Sequence, residues 1–164
     1  MLAILVFILG WTASSLVASG SASPDAESAV GFISSFFGTD AVERQSPHDW
    51  IEESKIHVGQ KQVIIEIENA EWAKFTDTNS MDPVIDQGAN ALQIVPVSTD
   101  DIHIGDIISF TSEYASGTII HRVVEIGSDG DGWYAVTKGD NLAYKDPGKV
   151  RFDRIKRVLV AVIY

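Results

Sequence analysis

From residue 54 to the C-terminal end, the sequence is cut into short apolar runs. "KQVIIEIEN", "ALQIVPV", "DIISFTS", "GTIIHRVVEI", "GWYAVTKG" and "IKRVLVAVIY" are rich in Val and Ile and are separated by Gly, Asp and Ser clusters. Branched β-carbons leave few χ1 choices and sit well on a pleated surface. Short runs of this kind, spaced by turn residues, predict an antiparallel all-β sandwich or barrel. "GSDGDGW" joins two of them and reads as a hairpin turn. The second half of "KQVIIEIEN" alternates apolar and polar, as a half-buried strand does. The expected fold class is therefore mostly β, a compact antiparallel domain over residues 54–164.

The N-terminal part follows a different pattern. "MLAILVFILGWTASSLVASG" carries no charged side chain over its 20 residues. A run of about 20 apolar residues just crosses a bilayer core. The small residues of "VASGSAS" also suit removal of a leader, and a buried core helix is a third reading; length favours the membrane anchor. The first basic residue is Arg44, whereas Asp25, Glu27, Asp40 and Glu43 follow the run. Positive residues collect on the cytoplasmic side, so their absence places the rest of the chain on the non-cytoplasmic face. Residues 25–44 have Val30, Ile33, Phe36 and Phe37 at helical spacing and predict a short amphipathic helix. "RQSPHDWIEES" reads as a polar linker. The expected division is an anchor or signal-like segment at 1–20, an amphipathic helix and linker at 21–53, and the β domain at 54–164.

Bulk properties narrow the function. The 164 residues suffice for one domain with a core, not for two full ones. Hydrophobic content of 45% with 21% charged residues describes a globular chain rather than a disordered one. A net charge of −11 argues against a phosphate-tracking surface, and so against nucleic acid as a partner. There is no cysteine, which excludes a disulfide framework, a thiol nucleophile and a Cys-based zinc site. No metal or other cofactor is expected.

Three stretches carry chemistry: "DTNSMDP" with Ser80, "GTIIHRVVEI" with His121, and "TKGDNLAYKDP" with Asp140 and Asp146. A serine hydroxyl is a weak nucleophile until a base takes its proton. An imidazole titrates near neutrality and serves as that base. A carboxylate fixes the imidazole tautomer and stabilises the imidazolium. Each residue taken singly also has an ordinary reading. Ser80, Asp140 and Asp146 fit turns, whose backbone they would bond, and His121 fits a strand as a structural residue.

The order of these stretches resembles the signal peptidase I family in its endoplasmic-reticulum and archaeal branch. The carriers are "SMDP", "IGDIISF", "IIHRVVEI" and "TKGDNLAYKD", which occur in that order between residue 76 and the end of the sequence. Any single box would be weak; the conjunction is specific. The resemblance implies a membrane-bound endopeptidase of signal-peptidase fold. Its partners would be the bilayer and the signal peptides of exported preproteins, cleaved after small residues. It implies Ser80 as nucleophile, His121 as general base where the bacterial branch has lysine, and Asp140 and Asp146 as the carboxylates that orient the base or support its loop. The oxyanion hole would use the Ser80 backbone N–H and the Thr78 hydroxyl. Met81 and Pro83 would shape the substrate groove, and Lys138 is a box residue without an implied role.

Position alone favours Asp146 as the partner of His121, because the Asp140 side chain in Gly-Asp-Asn can be used up on nearby backbone. Two departures from the family pattern stand out. Asn79 occupies the place where the family usually has Gly before Ser-Met; Asn tolerates positive φ better than most residues. About 55 residues separate the hydrophobic run from Ser80, where the family has the serine soon after its anchor. Within that insertion, "KQVIIEIENAEWAKF" is expected to add a strand that closes the sheet. The alternatives are a non-catalytic or specialised signal-peptidase-like protein, and a self-cleaving regulator that shares the fold. The latter class uses a lysine base, whereas this sequence offers His121-Arg122.

Overall fold

The computed structural model describes residues 44–164. The hydrophobic run at 1–20 and most of the expected amphipathic helix lie outside the described residues. Within them the chain is mostly antiparallel β, in eight strands. These are β1 (Ile56–Val58), β2 (Val63–Ile65), β3 (Glu71–Lys74), β4 (Asn90–Ile94), β5 (Ile107–Thr111), β6 (Thr118–Asp129), β7 (Gly132–Lys138) and β8 (Ile155–Ile163). Helix among the described residues is confined to three single 3-10 turns. None is long and apolar enough to cross a membrane.

Strands β3 to β8 form one six-stranded sheet in the order β3-β4-β8-β5-β6-β7, with β3 and β7 at its edges. Alternation along the central strands covers both faces. Ile108, Phe110 and Val158 enter one apolar cluster with Val123, Ala135 and Ile155. Their neighbours Ile107 and Leu159 enter a second, with Met81, Ile85 and Ala91. The second cluster lies under the Ser80 turn, since Met81 directly follows the serine. The expected β6–β7 hairpin forms, with Asp129 paired to Gly132 across its tip.

The segment "KQVIIEIENAEWAKF" does add a strand to this sheet, through its second part: Glu71–Lys74 joins at the edge, whereas Val63–Ile65 pairs with Ile56–Val58 as a separate two-stranded hairpin. The polar residues before 54 also pack on the domain, which by its internal contacts runs from Arg44 to Tyr164. Asp106, wholly buried, is the clamp. Its Oδ1 accepts the His48 backbone N–H at 2.8 Å and the Trp50 indole N–H at 3.2 Å, while Oδ2 accepts the His103 N–H at 2.9 Å. Gly105 sits at φ +103°, and a Cβ there would overlap the Ser46 carbonyl, so this approach requires glycine.

Candidate active site

Ser80 sits on the turn between β3 and β4. Asn79 before it has φ +55°, the left-handed conformation that Asn adopts more easily than most residues, so the turn needs no glycine here. The loop after β7 pins the turn from the other side. Asn141 donates its backbone N–H to the Ser80 carbonyl at 3.0 Å and its side-chain amide to the Asn79 carbonyl at 2.9 Å. Gly139 makes this docking possible, because a Cβ there would come within 2.6 Å of the Ser80 carbonyl oxygen. The Asp140 N–H meets the Met81 sulfur at 3.4 Å.

His121 lies on β6 directly across from Ile108 and is 7% exposed. Its Nδ1 is 2.6 Å from Asp146 Oδ2. An ionised carboxylate only accepts, so Nδ1 carries the proton and Nε2 of the neutral ring is left as acceptor. The same Oδ2 accepts the Thr137 hydroxyl at 2.6 Å, and the Asp146 backbone N–H donates to the Thr137 carbonyl at 2.8 Å. Burial pushes the Asp146 carboxyl up. The hydrogen bonds from His121 and Thr137, with the electrostatic attraction of the His121 ring, together outweigh burial and hold it below its ordinary value.

Asp140 is engaged elsewhere. Its two oxygens take a bidentate pair of bonds from Arg122 Nε and Nη2, at 2.8 and 2.7 Å, and Arg122 Nη1 donates to the Gly105 carbonyl at 2.7 Å. The planar guanidinium thus ties the loop after β7 to the clamped Gly105–Asp106 corner. Asp140 and Lys138 line a cavity of about 240 Å³ with Arg122, and Asp140 is not part of the lining around Ser80.

Ser80, Thr78, Met81, His121 and Asp146 all line one cleft of about 730 Å³. Pro83 is exposed and is not among its lining; Ile85 and Phe75 are. The Ser80 hydroxyl is 3.3 Å from the Thr78 hydroxyl. Among the described residues no hydrogen bond joins Ser80 to His121, and the Ser80 backbone N–H has no acceptor. Catalytic hydrogen bonds are often long before substrate arrives. Ala73, Lys74 and Phe75, on and just after edge strand β3, form one wall of the cleft. No group of three or more metal-ligating side chains occurs among the described residues.

Sequence reasoning did not find Thr137, the clamp through Asp106, or the docking role of Asn141. Compared with protein-family models, curated proteins and solved structures, the chain gives no match.

Proposed function

We propose that this protein is a membrane-bound serine endopeptidase of signal-peptidase type, which removes signal peptides from exported preproteins on the non-cytoplasmic side of a membrane. The observation that carries the reading is one cleft that gathers Ser80, His121 and Asp146, with His121 Nδ1 already committed to a carboxylate. In this reading His121 Nε2 takes the Ser80 proton as Oγ attacks the scissile carbonyl, and Asp146 stabilises the imidazolium that results. The Ser80 N–H and the Thr78 hydroxyl receive the developing oxyanion. The imidazolium then protonates the leaving amine, and water, deprotonated by His121, releases the acyl group from Ser80. Asp140 acts as a structural carboxylate that holds the Ser80-docking loop through Arg122.

The substrate would lie as an extended strand along the open edge of β3. Met81, Ile85 and Phe75 give this cleft an apolar lining suited to small side chains at the first and third positions before the cut. The test is incubation of the purified chain with a preprotein. Wild type should cleave it, and Ser80→Ala should lose cleavage while keeping its fold. Equal activity in the two forms would remove the nucleophile assignment. Equal inactivity with retained preprotein binding would favour a non-catalytic binding protein instead.

A further inference from the structure

The β1–β2 hairpin stands outside the main sheet, and its residues do not line the Ser80 cleft. Cross-strand pairing matches Ile56 with Ile65 and Val58 with Val63, so four branched aliphatic side chains share one face. Exposure rises toward the tip: Ile56 is 41% exposed, Val63 58% and Val58 79%. A hairpin of this size has little stability of its own in water, and an apolar face that points outward leaves it with more to gain from a partner.

Charge indicates which partner. Between Lys55 and Ile65 there are two lysines, one histidine and no carboxylate, in a chain whose net charge is −11. Lys61 sits in the tip, whereas Glu52, Glu53, Glu66 and Glu68 flank the base. Lys55 and Lys61 have no ion-pair partner among the described residues. A surface of negative charge therefore attracts the tip and repels the base.

We propose that the tip of this hairpin docks on an anionic lipid bilayer, with Val58 and Val63 among the headgroups and upper acyl chains and Lys61 on the lipid phosphates. The two open strand edges keep it at the interface, because unpaired backbone groups do not enter hydrocarbon. Three residues of strand span roughly 10 Å, which also limits the depth. The inference rests on the hairpin alone and not on the catalytic reading.

The chain has no cysteine, so Val58→Cys gives a unique attachment point for an environment-sensitive fluorophore. Val97→Cys, at a position 86% exposed on the main domain, is the comparison. The full chain is reconstituted in vesicles of phosphatidylcholine alone or mixed with phosphatidylglycerol, with a nitroxide quencher carried on the lipid. The expected result is a blue-shifted and quenched label at position 58 in the anionic vesicles, and a water-exposed label at 97. Lys61→Gln should lower the ratio of docked to undocked hairpin about 5-fold. A label at 58 that stays open to aqueous iodide would overturn the proposal. So would equal quenching at 58 and 97, or equal quenching in neutral and anionic vesicles. A label at 58 already shielded before vesicles are added would assign the surface to a second copy or to the chain itself, and would overturn it too. None of these readouts depends on peptide cleavage.

Discussion

Thr137→Val tests the site where it is most tightly coupled. The side chain is 1% exposed, and valine replaces its hydroxyl with a methyl of nearly the same size, so packing is preserved. What disappears is one 2.6 Å hydrogen bond to Asp146 Oδ2. Bonds to charged groups contribute about 1.5–3 kcal/mol. A loss near 2 kcal/mol lowers the midpoint of thermal unfolding by about 8 °C for a domain of this size. Thr137→Ser keeps the hydroxyl and should recover most of that.

The effect has a pH signature. The folded-state pKa of Asp146 is held below the ordinary carboxylate value. Its stabilisation is therefore complete above the unfolded pKa of about 3.9, and it is lost as pH falls through the lower folded value. Thr137→Val removes one of the bonds that depress it. The gap between wild type and variant should be full at neutral pH. It should shrink to about half once pH has fallen below the folded-state value, where the bond to a protonated carboxyl is no longer charge-assisted. Thermal melts followed by circular dichroism across this range measure it. A variant within about 2 °C of wild type at neutral pH, or a gap independent of pH, would refute the reasoning.

Asp140→Ala leaves the partly buried Arg122 without its carboxylate and should cost about 3 kcal/mol of stability, measured by denaturant unfolding; a loss below about 1 kcal/mol would show that Asp140 does not hold the loop. His121→Ala and His121→Lys should both lose preprotein cleavage by orders of magnitude, because a lysine base works only if its pocket is built to desolvate it; near-normal rates in the lysine variant would contradict this.

The central strands were legible in the sequence because their apolar runs fill both faces of a covered sheet: Ile107 and Ile108 go to different clusters and both are buried. Strand β3 was not distinguishable as an edge strand. "EWAK" has no β-branched residue, and its extended form comes from pairing with β4 and from the ion pair of Glu71 with Arg157. The site was legible as residue types in order, and Asn79 as a residue able to take positive φ. Its wiring was less so. Thr137 looks like ordinary strand filler until the chain brings Asp146 back onto β7. Asp106 looks like a turn residue until His48 and Trp50, 56 or more positions earlier, close on it. The polar stretch that holds them reads as linker because Trp50 and Ile51 are its only large apolar residues.

The two halves of the cleft are assembled over very different lengths of chain. His121, Thr137 and Asp146 are joined by bonds that span 25 and 9 residues, along a hairpin and the loop that follows it. The Ser80 turn is fastened to that loop by a bond that spans 62. Closing a longer loop costs more chain entropy, and contacts between distant segments tend to form late. The imidazole and its carboxylate should therefore be in place while Ser80 is still adrift. Hydrogen exchange pulsed during refolding should find the β6 and β7 amides protected before that of Asn141; the reverse order would contradict this sequence of events. If Ser80 is the nucleophile proposed above, the site stays incomplete, and harmless to the unfolded chain, until this 62-residue contact closes.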